Sequence, residues 1–231
     1  MSIGRNYRYE RLLDCVPTYD VSKAGAALEY IARRIDSPLI AEAIERTGTP
    51  QILQSGSVPV GVNPEWTTAL VKWSREWYSL NCRDTTCDDE CLEIVASSCR
   101  KLRFLNLSRT RVSCAGIKFL NTHGTLHTLI MDHTNITDEC THTLAGITGM
   151  RVLSLTGTRI TDEGIRRLSS LQLVALDISH CELVQPAADA FSGFRNLQTI
   201  SIDRECATDT VLETLVRNNP QIEISICGAD R

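Results

Sequence analysis

The last two thirds of the sequence repeat with a period of about 24 residues. Each copy has the same apolar spacing, as in Leu102, Leu105 and Leu107. Successive copies begin at 77, 102, 126, 150, 173 and 197, at intervals of 25, 24, 24, 23 and 24 residues. A shortened copy, Ile224 and Ile226, follows near the end. A unit of this length cannot bury its own apolar face, so the period predicts stacked units around one continuous core.

Within each copy the pattern predicts a short strand, a turn and a helix. A small polar residue follows most strands, where a hydroxyl or thiol can bond to the backbone as the chain leaves the strand. These positions are Thr85, Thr110, Thr134, Thr158 and Cys181, with Glu205 in a later copy. Three copies continue with a Thr or Asp and then acidic residues, which is typical of a helix start because both satisfy the free N–H groups there. Their first residues are Asp88, Thr137 and Thr161.

This pattern resembles the leucine-rich repeat. The acidic helix starts and Cys99, which follows a predicted helix, are most similar to the cysteine-containing, ribonuclease-inhibitor-like subtype. The resemblance covers roughly 77–231 and implies an α/β solenoid of about six to seven repeats, with parallel strands on the concave face and helices on the convex face. The fifth copy, with Val184, Gln185 and Pro186, lacks the acidic cap, so we expect an altered helix start there.

Residues 1–76 predict an N-terminal helical cap. Trp66, Leu70, Trp73 and Trp77 are spaced four, three and four residues apart, which places them on one helical face. A solenoid needs a cap over its first repeat, and this face leads directly into that repeat. The alternative is an independent helix that binds a partner. The first residues contain no apolar stretch typical of a secretory signal.

The ten cysteines predict structural thiols. A zinc site is the alternative for the cluster of Cys82, Cys87, Cys91 and Cys99, but its spacing contains no C-x2-C pair. The repeat register places most cysteines where other copies have apolar, glycine or threonine residues. We therefore expect no disulfides, no metal and no cofactor. Reduced thiols indicate an intracellular protein, in the cytoplasm by preference, with mitochondria as the alternative.

Chemistry that would make the chain an enzyme is weakly supported. No glycine-rich phosphate loop is present, and Ser179, His180 and Cys181 occupy ordinary repeat positions. The net charge of −4 disfavours broad binding to nucleic acid. No apolar run reaches the ~20 residues of a membrane-spanning helix, so no membrane insertion is expected.

The predicted concave face supplies a candidate protein-binding surface. Alternate strand residues face away from the core, which places Phe104, Ile130 and Val152 as an exposed apolar strip across three strands. Loop positions add a charged rim made of Arg109, Arg111, His133, Arg159, His180 and Arg204. An apolar centre with an arginine-bearing rim is typical of protein interfaces, and an acidic or phosphorylated protein would suit the rim.

We therefore expect a non-enzymatic interaction protein that serves as a scaffold or adaptor subunit. Two alternatives stay open: a substrate receptor of a ubiquitin ligase, and an assembly factor or subunit of a mitochondrial complex. The N-terminal segment lacks the Leu-Pro pair that opens an F-box. The layout of a short helical segment before a few repeats resembles the small mitochondrial proteins related to ATP synthase subunit s.

Overall fold

The computed structural model describes residues 78–85, 87–183 and 188–228, all within one compact unit. The predicted cap over 1–76, with its tryptophan-bearing helix, lies outside the described residues. So do Cys15 and the predicted altered helix start at 184–187.

Seven parallel strands form one sheet and follow one another in chain order. Their bounds are β1 (Ser79–Asn81), β2 (Phe104–Asn106), β3 (Thr128–Ile130), β4 (Val152–Ser154), β5 (Ala175–Asp177), β6 (Thr199–Asp203) and β7 (Glu223–Cys227). Central residues pair at separations of 25, 24, 24, 23, 24 and 24 residues, beginning with Leu80 beside Leu105. The structure confirms the α/β solenoid and the repeat register that the period predicts.

Helical segments connect the strands and contact one another in chain order. The α-helices are α1 (Asp89–Ser98), α2 (Cys114–Ile117), α3 (Thr141–Ala145), α4 (Asp162–Leu168) and α5 (Asp209–Asn218). Short 3-10 helices lie at Lys118–Thr122, Asp138–Cys140, Ala188–Phe191 and Arg204–Cys206. None of the helices in the described ranges is long and apolar enough to cross a membrane.

The core lies between the sheet and the helices. The central residues of β1 to β6 are all buried, as are helical residues such as Leu92, Ile165 and Leu215. Burying one such side chain stabilises the fold by about 2 kcal/mol, so many small aliphatic contacts can replace a large aromatic core.

The predicted polar position bonds to the backbone after each of β1 to β5. The hydroxyls of Thr85, Thr110, Thr134 and Thr158 each donate to the carbonyl oxygen three residues earlier, at 2.6 to 2.7 Å. Cys181 Sγ contacts the carbonyl oxygen of Leu155 in the preceding repeat, at 3.1 Å. The residue before this position has positive φ in five repeats, which turns the chain away from the sheet; these residues are Asp84, Arg109, His133, Gly157 and His180.

Aspartates at the helix starts bind the next repeat. The carboxylate of Asp89 accepts hydrogen bonds from the backbone N–H and hydroxyl of Ser113, at 2.7 and 2.6 Å. Asp138 accepts the same two bonds from Thr161, at 2.9 and 2.5 Å. Ser113 and Thr161 are themselves the N-cap residues of α2 and α4. Each aspartate therefore ties one helix to the start of the next.

The expectation of no disulfides is wrong, because Cys114 and Cys140 are joined by one, with their Cα atoms 4.9 Å apart. Cys114 occupies the repeat position of Asp89, and Cys140 occupies that of Gly116. A Cβ at Gly116 would collide with the Asp89 carboxylate, so these two repeat positions lie in direct contact. Cysteines at both positions are therefore within bonding distance. Cys114 Sγ also lies 3.4 Å from Thr137 Oγ1, the N-cap group that follows it.

The other seven cysteines in the described part of the chain form no disulfide. Five are buried and two are half-buried, which agrees with the prediction of packed thiols: Cys82, Cys87, Cys91, Cys99, Cys206, and then Cys181 and Cys227.

Candidate protein-binding surface

The concave face consists of two rows of side chains, one on each side of the central row. The strand pairing aligns Phe104 with Thr128 and Val152 in the first row, and Asn106 with Ile130 and Ser154 in the second. In this register Ile130 lies one row away from the other two apolar residues of the predicted strip.

The predicted exposure of the apolar strip is wrong for two of its three residues. Phe104 and Ile130 are only 9% and 6% exposed, whereas Val152 is half-buried. Neighbouring strands lie ~4.8 Å apart, so a side chain in an inner strand is flanked by side chains on both sides. Phe104 and Ile130 therefore form the floor of the surface and contribute to its packing.

Carboxylates and hydroxyls pair beside this floor. Asp132 Oδ1 accepts hydrogen bonds from Ser154 Oγ at 2.5 Å and from Thr156 N–H at 3.2 Å. Burial raises the pKa of Asp132, and the nearby charge of Asp177 raises it further. Asp177 accepts bonds from the N–H and hydroxyl of Ser179, at 3.0 and 2.7 Å. Internal hydrogen bonds therefore hold both carboxylates in fixed positions.

The predicted charged rim lies along the ends of the strands, and all six of its side chains are exposed. Arg109, His133 and His180 occupy the same positive-φ position in three repeats, so their side chains follow one line. Arg109 Nε lies 3.9 Å from the Asp84 carboxylate, and His180 Nδ1 lies 3.5 Å from Asp203. Arg204 lies beside Gly228, after the last strand. Whether these residues bind a partner stays a prediction.

A second charged edge, at the starts of the strands, was missed by the sequence reasoning. One exposed residue stands immediately before each of β1 to β4: Tyr78, Arg103, His127 and Arg151. Their backbones repeat one geometry, since Arg103 donates to the carbonyl of Tyr78, His127 to that of Arg103, and Arg151 to that of His127, at 2.8 to 2.9 Å. The Arg103 guanidinium lies 5.8 Å from the centre of the Tyr78 ring. The available signal was a basic residue two positions before the central leucine in three successive copies.

Two of the thiols, Cys87 and Cys181, are poor nucleophiles. Burial raises the pKa of Cys181 to about 11, and hydrogen bonding with Cys82 together with burial raises the pKa of Cys87 still further. Both thiols therefore stay protonated at neutral pH, where a catalytic cysteine needs its thiolate. Among the described residues, no three His, Cys, Asp or Glu side chains are grouped so that they could hold a metal ion.

Comparisons with known proteins agree with this architecture. Residues 149–169, which span β4 and α4, match the family described as "Leucine Rich repeat". The structure is similar to internalin C2 of Listeria monocytogenes, with a TM-score of 0.55 and 21% identity, over 84% of this chain and 87% of that one. It is also similar to a leucine-rich-repeat protein of Leptospira interrogans, with a TM-score of 0.52 and 18% identity, over 76% of this chain. The alignment spans 44% of the Leptospira chain. No curated protein matches by sequence.

Proposed function

We propose that this leucine-rich-repeat solenoid is a non-enzymatic interaction protein, a scaffold or adaptor subunit, whose concave face binds an acidic or phosphorylated segment of another protein. Solenoids of this kind generally present an extended concave surface for binding. The observation that carries the proposal is the presence of exposed arginines along both edges of that face between β2 and β4.

The charge distribution supports an anionic partner. The chain carries a net charge of −4, yet the two edges of the concave face are basic over these strands. Arg103, His127 and Arg151 line the strand starts, and the strand ends carry Arg109, Arg111, His133 and Arg159. Screening acts over ~10 Å at moderate salt, and two strands span about that distance, so the arginines at β2 and β4 act together on a bound segment. Arginine also binds carboxylate and phosphate groups in a bidentate manner.

The centre of the face suits an extended segment. Phe104 and Ile130 are buried and provide a rigid floor, while Thr128 and Val152 remain half-exposed above it. A partner lying across the strands would contact this floor and direct its acidic side chains to the two edges. Recognition would then depend on charge more than on a protruding aromatic anchor.

Binding of a fluorescein-labelled glutamate-rich peptide, measured by fluorescence anisotropy, tests the proposal. We expect binding that weakens as salt is raised, and a decrease of about tenfold or more in affinity for Arg103→Glu/Arg151→Glu. The matched control is Arg217→Glu, an exposed charge reversal on the convex helix α5, which should leave the affinity nearly unchanged. A phosphoserine version of the peptide tests the phosphorylated class.

The proposal fails if a glutamine-rich peptide of the same length binds equally well, or if the double variant binds like the wild type. No described residue favours the ubiquitin-ligase or mitochondrial alternatives over the general scaffold. An intracellular location remains part of the proposal. It rests on the seven described cysteines that form no disulfide, whereas the Cys114–Cys140 disulfide favours an oxidising environment.

A further inference from the structure

β7 is the outermost strand of the sheet that the structure describes, and exposed apolar side chains lie on it and on α5. Ile226 in β7 is 46% exposed and Val216 in α5 is 49% exposed. In the preceding repeat, the counterpart of Ile226 is Ile202, which is fully buried. Proteins usually protect an edge strand with Lys, Pro or an inward charge, and β7 contains none of these within its apolar stretch.

No described strand pairs with β7 on the side away from β6, so its backbone offers hydrogen bonds there. The N–H of Glu223 donates to the carbonyl of Gln198 in the preceding repeat at 2.7 Å. Alternate residues of a strand direct their backbone groups to opposite sides, so the groups of Ile224 and Ile226 point away from β6. The side chains of both isoleucines continue the core row.

We propose that this edge binds a second copy of the chain, with the two β7 strands antiparallel about a two-fold axis at Ser225. In this register Ile224 of one copy faces Ile226 of the other, and the pair exchanges both N–H···O bonds. The same exchange occurs on the other side of the axis. Because paired residues point to the same face of a sheet, the isoleucines continue one core and the two α5 helices become neighbours.

Charge complementarity selects a second copy as the occupant. The Arg204 guanidinium extends from the end of β6 to Gly228, where it lies close to the space that a Cβ there would occupy. In the proposed register, Glu223 of the partner copy faces Cys227, which adjoins Gly228. Each interface would therefore contain two equivalent Arg204–Glu223 ion pairs. Both residues are exposed, and within one chain no described ion pair connects them.

Sedimentation velocity over a hundredfold range of protein concentration tests this interface on the full chain. We expect a monomer–dimer equilibrium. Glu223→Arg and Arg204→Glu should each weaken it about tenfold, and the double variant should recover most of the affinity because the pair is re-formed with reversed charges. Glu93→Arg in α1 and Arg100→Glu just after it are matched controls on exposed residues at the opposite end of the described sheet, and they should leave the equilibrium unchanged.

Amide hydrogen exchange keeps the test independent of variant folding. In the wild type, exchange at Ile224 and Ile226 should slow as concentration rises, while exchange in β2 should not change. A monomer at all concentrations, a dimer insensitive to both charge reversals, or polymers larger than a dimer would each overturn the proposal. Peptide binding at the concave face is measured separately, so failure of this dimer would leave the proposed function standing.

Discussion

Removing the Cys114–Cys140 disulfide should destabilise the solenoid by a predictable amount. The bond joins residues 26 positions apart, and closing a loop of that length lowers the entropy of the unfolded chain by the equivalent of about 3.5 kcal/mol. For a chain of this size, that corresponds to a decrease in melting temperature of about 7 to 14 °C. We expect Cys114→Ser/Cys140→Ser to show this loss, and reductant to produce a similar loss in the wild type.

The neighbouring repeats suggest a replacement that should recover part of the loss. Cys114→Asp/Cys140→Gly introduces the residue pair found at Asp89 and Gly116, and the new carboxylate could accept the two hydrogen bonds of Thr137. Two charge-assisted bonds offset the flexibility of the added glycine, so we expect about 2 kcal/mol more stability than in the serine variant.

Thermal unfolding followed by circular dichroism measures both effects. Alkylation before and after reduction, read by mass spectrometry, should show two additional modified cysteines in the reduced wild type. If reductant changes neither the melting nor the alkylation, the disulfide does not form. If Cys114→Asp/Cys140→Gly has the same melting temperature as the serine variant, positions 114 and 140 are not equivalent to Asp89 and Gly116 in the neighbouring repeat.

Three further predictions concern single side chains. Asp132→Asn should keep both hydrogen bonds, because its side-chain carbonyl oxygen can accept them. The pKa of Asp132 is raised in the folded state, so the wild type loses stability as pH rises through that pKa. The stability of the variant relative to the wild type, measured by urea unfolding, should therefore increase from acidic to neutral pH. Phe104→Ala should lower the unfolding free energy by about 3 kcal/mol in the same assay, because the ring is buried. A change smaller than the error of the assay would indicate that the Phe104 side chain is exposed. Gly116→Ala should lower the unfolding free energy by about 1–3 kcal/mol, because the new Cβ collides with Asp89. Gly124→Ala has open space around it and should have the melting temperature of the wild type. Equal melting temperatures of the two variants would contradict this reasoning.

The sequence period was sufficient to predict the sheet register, because one apolar residue per copy must reach the core. Leu105 and Leu129 could be aligned without any structure, and the hydroxyl of Thr110 could be assigned to the turn. The alternation that places Phe104 on the concave face says which side of the sheet it occupies, but not what covers it. Its burial depends on neighbours in three dimensions and was therefore not predicted.

The missed features involve pairs of positions in different repeats. Cys140 was correctly aligned with the tight position of Gly116, yet its contact with the Cys114 position appears only when two repeats are stacked. The basic residues before the strands, such as Arg103 and Arg151, lie outside the alternating apolar pattern. That pattern therefore does not predict where they lie on the surface.

The contacts between successive helix starts couple neighbouring repeats of the solenoid, and this coupling is uneven. Asp89, Cys114 and Asp138 each bind the next N-cap, but at the following position one carboxylate oxygen of Asp162 is buried without a hydrogen-bond partner. The helix layer is bridged there by the exposed pair of Arg166 and Asp189, a kind of contact that couples neighbours weakly. In a nearest-neighbour description of repeat folding, weak coupling at a boundary lowers cooperativity there, so β5 to β7 should unfold together while β2 to β4 remain folded.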